Sequence, residues 1–409
     1  MLSSPAAMIV STREKCAVCQ KGNLKAVIDL PDLPLTGRFS HKKMQGISTG
    51  IDQRLLWCPS CSHAQLTYQV DPEVLYDESY SFRTSLSQTA RNGTAFFLKT
   101  LQEIAGPRTF QCMVDLGCND LFLLQALKDR CRLRYGIDPI WKAREKETLE
   151  SLEDPTLTVI GEMIEEVDLK KSLKTRPDLI VLRHTLEHLW SPKEILEKLL
   201  SVAAAEALFL IEIPMFEALL ARLRFDQIFN QHFHYFSWNS FRKLLEKIGC
   251  KYLGHRENYH DWGVICVAFA KEKARLNHRK KEKEKESLSL PMIQQRYEIF
   301  LRQMALTREL LMGMGHQRPL YGYGASQMLP VLAYHLKTNL SRLECILDDD
   351  PAKEGLWYAN LPLVIKHSER IKELENADVL VTAIDHAVSI ISRLSTRRPR
   401  HVVYPLMVM

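Results

Sequence analysis

Between residues 110 and 214 short apolar runs alternate with helix-spaced segments. CMVDLG (112–117) ends in Gly117, LLQALKDR follows with helical spacing, and LRYGIDP (133–139) ends in Asp138. PDLIVLRHTLEHL and AEALFLIEIP supply later strands. The alternation predicts an α/β fold with a doubly wound sheet, whose ligands sit at the carboxyl ends of the strands. Asp115, Gly117, Asp138 and the segment from His184 to His188 fall there. Further on, MIQQRYEIFLRQMALTRELLMGM repeats apolar residues at three and four and predicts one long helix. A second βα unit then begins. PLYGYGASQMLPVLAYHL (319–336) predicts strand, glycine turn and helix, and LECILDDDP (343–351) predicts a strand ending in acidic residues. Gly322-Tyr323-Gly324 lacks the third glycine of a dinucleotide fingerprint, and a tight strand-to-helix turn explains it equally well.

Composition narrows the class. A chain of 409 residues, 46% hydrophobic and 25% charged, is globular and long enough for roughly two or three domains. The net charge of +6 owes much to KEKARLNHRKKEKEKE (271–286), which reads as a solvated helix or linker. No uninterrupted apolar stretch reaches the roughly 18 residues of a membrane span, and MLSSPAAMIVSTREK is too weakly apolar for a secretory signal. A cytoplasmic protein with no membrane partner is expected. Ten cysteines then argue for thiols or metal ligation.

Four of those cysteines form a pattern. Cys16-Ala-Val-Cys19 and Cys58-Pro-Ser-Cys61 each present two thiolates from one tight turn, the signature of a structural zinc site. Four thiolates leave no open position, so the ion folds the segment and does no chemistry. His63 is a spare ligand at best. The surrounding LWCPSCSHAQL lacks the basic and aromatic interleaving of a nucleic-acid reader, so no nucleic-acid partner is expected. The expected boundaries are a zinc module over 1–75, a cofactor domain over 76–270, a charged and helical linker over 271–318, and a Rossmann-like domain over 319–409.

In VDLGCND a carboxylate stands two positions before a glycine at a strand end, where it can hold an ammonium or hydroxyl while the glycine lets a ligand approach the backbone. Asp138 is placed to accept hydrogen bonds from a ribose diol. This pattern alone does not separate S-adenosylmethionine from NAD. LRHTLEHLWSPKEIL (182–196), following the apolar strand, favours S-adenosylmethionine.

The order CxxC…CxxC, YSFRTS, DLGCND, GIDP, LEHL, NQHFHYFS and GYGA…DDDPAKEG resembles the sugar C-methyltransferase family over nearly the whole chain. The resemblance implies a zinc module, a central S-adenosylmethionine domain and a C-terminal Rossmann-like domain. It implies methylation of a carbon beside a ketone in a nucleotide-linked deoxysugar. Carried over by position, the cofactor residues are Asp115, Gly117, Asn119 and Asp138, with Asp120 beside them. The family's base is a histidine three residues before a Tyr-Phe pair, which selects His232 before Tyr235 and Phe236. His188 and Tyr80 would orient the sugar, and His234 would be structural.

Neutral imidazole suits the chemistry, because a C–H beside a ketone becomes a nucleophile only when a base removes its proton. Several positions depart from the family. Phe229 and Gln231 stand where it has Tyr and Glu, Leu121 stands where it has a second glycine, and YHDWG (259–263) replaces a glycine-rich turn. An O- or N-methyltransferase on a related sugar, or a non-catalytic scaffold with a degenerate cofactor fold, therefore stay open as alternatives. The sequence carries no signal for an oligomeric state.

Overall fold

The computed structural model describes residues 8–43, 50–75, 84–142, 153–259, 262–275, 288–314 and 317–406. Its central sheet has seven strands: β1 (Phe110–Leu116), β2 (Cys131–Ile137), β3 (Leu157–Ile160), β4 (Leu179–Arg183), β5 (Leu208–Pro214), β6 (Cys250–Asn258) and β7 (Val264–Lys271). Their order is β6-β7-β5-β4-β1-β2-β3. The first five pair in parallel, and β7 runs antiparallel between β5 and β6. Nearly every residue of β1, β4 and β5 is buried, as a parallel sheet covered on both faces requires. The chain passes from β1 outward to β2 and β3, then returns to place β4 on the other side of β1. Such a reversal opens a crevice at the carboxyl ends of β1 and β4.

Helix α1 (Gln88–Ala105), capped by the Ser87 hydroxyl accepting from the Ala90 N–H, packs against this sheet. The segment LLQALKDR gives only a short helix, Phe122–Ala126. Arg130 ends it early by donating to the carbonyls of Gly106 and Arg108, which draws the chain into β2. A tertiary contact here overrides helical spacing.

The N-terminal module is a four-stranded antiparallel sheet, and its edge strand comes from far along the chain. His234–Tyr235 pairs with His63–Leu66, which pairs with Ile51–Cys58 and then Lys25–Leu33. Beyond residue 288, α2 (Leu290–Gly313) precedes a parallel sheet of β8 (Leu320–Tyr323), β9 (Ile346–Asp348), β10 (Ile365–His367), β11 (Asp378–Val381) and β12 (His401–Val403). Its order is β10-β9-β8-β11-β12. Gly324 has φ +96°, and a Cβ there would lie 2.3 Å from that of Ala383, so packing alone explains this glycine turn. Phe39–Ser40 pairs with Trp357–Tyr358, and one apolar core includes Leu55, Phe225, Phe300 and Leu332. Packing thus crosses the boundaries drawn along the sequence. Most of the charged run, residues 276–286, lies outside the described residues. No helix among the described residues is long and apolar enough to cross a membrane.

The four cysteines of the paired motif converge. Cys16 Sγ lies 3.5 Å from Cys61 Sγ, Cys19 Sγ lies 3.5 Å from Cys58 Sγ, and all four lie within 4.8 Å of one another. Tetrahedral zinc with bonds of about 2.3 Å separates its sulfurs by about 3.8 Å, so the donor set fits the ion. The Cys16 thiol is pulled down to about 6, first by its hydrogen bond from Cys61 and further by the backbone N–H groups of Cys19 and Val18, which favours the thiolate zinc requires. His63 is not part of this cluster. Metal analysis should find a zinc equivalent that Cys58→Ser abolishes, with loss of the module's thermal transition. Unchanged metal content in that variant would overturn the assignment.

Candidate active site

The crevice beyond β1 and β4 is a cavity of about 360 Å³. Its floor is a run of unusual backbone. Gly117 has φ +76°, and a Cβ there would stand 2.2 Å from Thr185 Oγ1, so the neighbouring strand end demands the glycine whatever the ligand. Leu121 keeps a left-handed conformation (φ 64°, ψ 9°) with its side chain buried. That conformation costs a non-glycine residue roughly 1–2 kcal/mol, and core packing offsets the penalty. The glycine-like turn therefore survives the substitution.

Asp138 follows β2. Its Oδ2 accepts from the Asn119 N–H at 2.9 Å and its Oδ1 from the Ile140 N–H at 3.1 Å. Both oxygens are held by backbone donors, and a carboxylate offers about four acceptor sites in all, the chemistry that a ribose diol calls for. Asp115 is buried at the end of β1; burial pushes its carboxyl up to about 7 against the pull of Arg183, and nearby Asp138 adds to the rise. Asn119 lines the cavity, and its Oδ1 also accepts from the Thr84 N–H at 3.1 Å. Asp120 accepts from the Ser85 N–H at 2.7 Å. These two side chains hold the 84–85 segment against the turn. Tyr80 lies outside the described residues.

The same cavity is also lined by His188, Phe229 and His232. His188 Nδ1 donates to the Gln231 carbonyl at 2.9 Å, which leaves Nε2 as its lone-pair nitrogen. The ring of His232 meets that of His188 edge-on at 4.6 Å and lies 4.2 Å from that of Phe229. Burial holds His232 well below the usual imidazole range, helped by His188 and His184, so it is neutral. Gln231 turns away from the cavity: Thr36 donates to its Oε1 at 2.6 Å, and its amide donates to the Leu75 carbonyl at 3.3 Å. His234 is buried outside the cavity, sharing a hydrogen bond with His63 at 3.1 Å.

Sequence reading placed the segment from His184 to His188 at a strand end but missed the contacts around it, and missed Arg183, Glu212 and Asp385. Arg183 grips Glu212 through Nε at 3.0 Å and Nη2 at 2.8 Å, and donates to Thr94 at 2.8 Å. His184, at φ +48°, sits 3.5 Å from both Glu187 and Glu212, with Trp262 edge-on against its ring. The available signal was Glu212 itself, a carboxylate inside the apolar run LFLIEIP. Met328 and Asp385 reach the cavity from the C-terminal sheet domain. Asp385 is tied there by Arg224 at 2.6 Å, a contact no local pattern announces.

Residues 16–76 match a family model described as "Putative zinc binding domain", and residues 88–255 match one described as "Methyltransferase domain". The chain carries a methyltransferase domain behind a zinc-binding module. It is 24% identical over 262 residues to the C-methyltransferase NovU of Streptomyces niveus, covering 64% of this chain. The match spans 61% of the length of that relative. Similar solved structures include the N-methyltransferase NodS of Bradyrhizobium japonicum WM9 with S-adenosyl-L-homocysteine, at 13% identity and TM-score 0.37, covering 49% of this chain and 95% of that one. Another is the plantazolicin methyltransferase BamL, at 13% identity and TM-score 0.37, covering 46% of this chain and 86% of that one.

The methyl donor of this domain is S-adenosylmethionine, and the cavity fits it. Asp138 is positioned to accept from the ribose, and Glu162 and Glu165 line the wall while Arg183 is already paired with Glu212, which suits a sulfonium. Asp138→Ala should weaken S-adenosylmethionine binding by about 1.5–3 kcal/mol, tenfold or more in Kd by calorimetry. An unchanged Kd would place the ribose elsewhere.

Proposed function

We propose that the protein is an S-adenosylmethionine-dependent C-methyltransferase acting on a nucleotide-linked deoxy keto sugar, in the cytoplasm and without a nucleic-acid or membrane partner. One observation carries the reading. One cavity is lined both by Asp138, which would hold the cofactor's ribose, and by His232, a half-buried imidazole with no hydrogen-bond partner for its ring nitrogens among the described residues. A lone pair in a methyl donor's cavity is what removal of a weakly acidic proton needs. The family resemblance, and a relative named a C-methyltransferase, support the choice of carbon and of a sugar.

In this reading the sugar lies between the sulfonium and His232. The imidazole takes the proton beside the ketone, and the enolate carbon attacks the methyl. The C–C bond forms as the C–S bond breaks, and sulfur keeps the electron pair. Alignment of the three groups supplies much of the acceleration. Phe229 has no donor for the enolate oxygen, so that role passes to another part of the wall. His188, held by the Gln231 carbonyl, fixes the orientation of the His232 ring.

Labelled S-adenosylmethionine, offered with a panel of nucleotide-linked keto deoxysugars, should give a product whose new methyl sits on carbon. With S-adenosylhomocysteine in place of the donor, solvent deuterium should enter the substrate. His232→Ala should lower turnover by about 10² to 10⁴, the range of general-base catalysis, with donor affinity nearly intact. A methyl on oxygen or nitrogen, with no exchange in the wild-type protein, would replace this reading with O- or N-methylation.

A further inference from the structure

Behind the two histidines lies a carboxylate that neither the sequence patterns nor the reading above employs. Glu187 is fully buried, and neither of its oxygens has a hydrogen-bond partner among the described residues. His184 Nδ1 lies 3.5 Å from its Oε1. A carboxylate oxygen of Glu187 and one ring nitrogen each of His188 and His232 lie within 4.8 Å of one another. A buried, unsatisfied carboxylate is costly to keep, and removing charge compensation from such a group costs several kcal/mol in general. Its position beside two imidazoles gives the cost a purpose.

We propose that Glu187 is the counter-charge of the His188–His232 pair, a positioning residue that stabilises the imidazolium formed when His232 takes the substrate proton. The proposal rests on His232 as the proton acceptor. Before the reaction the pair is neutral: His188 carries its proton on Nδ1, pointed at the Gln231 carbonyl. After proton transfer His232 is an imidazolium, with the His188 ring edge-on to it and a ring nitrogen of each within 4.8 Å of a Glu187 carboxylate oxygen. The positive charge then spreads over two rings beside one carboxylate. When product leaves, the proton returns to solvent.

The surroundings make Glu187 the group for this task. Gln231, where the resemblance expects a carboxylate, is an amide bonded to Thr36 and Leu75. Glu212 is engaged by Arg183 and lies 3.5 Å from His184 Nε2, so its charge is largely balanced. Asp385 reaches the cavity from another domain and is paired with Arg224. Tyr235, 6.3 Å from His232 between ring centres, accepts from the Phe229 N–H and carries no charge. His184, just after β4, is the third imidazole beside Glu187, with Nδ1 3.5 Å from Oε1.

The test needs no sugar. Full-length zinc-loaded protein with S-adenosylhomocysteine, labelled in its histidines, is titrated by NMR from pH 5 to 9, and resonances are assigned by their loss in His188→Ala and His232→Ala. An opposite charge within about 4–6 Å raises an imidazole pKa by about one unit or more, so Glu187→Gln should move the pair's midpoint to lower pH by about one unit. Glu187→Asp should restore part of the shift, and it supplies the measurement if the glutamine variant fails to fold. An unmoved midpoint, or a pair neutral down to pH 5 in both proteins, would overturn the proposal. So would a second metal equivalent that Glu187→Gln removes, since the three groups would then be ligands. None of these outcomes depends on which atom is methylated, so the C-methylation reading stands or falls separately.

Discussion

A two-residue strand pairing organises the site. His234 and Tyr235 pair with Gln65 and Ala64, next to the strand that leads into Cys58. The ladder continues inward: the Leu66 N–H donates to the Phe233 carbonyl, and the Phe233 N–H donates to the Glu187 carbonyl. One chain of backbone hydrogen bonds therefore runs from the cysteine-bearing sheet through the His232 segment to the turn that carries Glu187 and His188. A short edge strand has little stability of its own, so it depends on the sheet it joins. The four cysteines lie outside the cavity, and a zinc ion held by them would bear on the His232 segment only through this sheet.

The opposite wall is fixed by buried charge. Arg183 joins β4 to β5 through Glu212 and to α1 through Thr94, all at the carboxyl end of the sheet. Arg224 holds Asp226 at 2.8 Å and Asp385 at 2.6 Å, joining the segment before His232 to the C-terminal sheet domain. Buried pairs of this kind give little net stability relative to apolar packing, yet breaking one leaves a charge stranded. They fix geometry more than they strengthen the fold. Three parts of the chain thus meet at one cavity, each held by a different physical device: a metal-supported sheet, a parallel sheet's crevice, and a buried ion triad.

The parts legible in the sequence were those with local causes. The paired CxxC turns announced four converging thiolates, and the apolar runs ending in Gly117 and Asp138 announced two neighbouring strand ends. The physical reason for Gly117 was not legible, since Thr185 comes from β4. Nor was the short helix after β1, because Arg130 reaches two carbonyls distant in sequence. Glu212 and Asp385 escaped for the same reason, and His184 and Glu187 were placed at a strand end without their contacts being legible. Their meaning lies in which unpaired group faces which, and pairing across a fold leaves no periodicity in the chain.

The departures from the family can now be weighed by what each side chain touches. Leu121 adopts the left-handed turn itself, so it leaves the cofactor floor in place. Gln231 points toward Thr36 and the Leu75 carbonyl, so its side chain serves the join to the N-terminal module, while its own carbonyl orients His188. A glutamate there would lose the amide donor that reaches Leu75. Phe229 differs in kind, because it lines the cavity and packs against the His232 ring. Replacing a phenol by a phenyl removes a donor beside the reacting centre and makes the imidazole's surroundings more apolar. The lost donor bears on the enolate oxygen, while the more apolar surroundings disfavour an unpaired imidazolium. The substitution that most weakens the familiar arrangement is therefore the one that gives Glu187 its physical rationale.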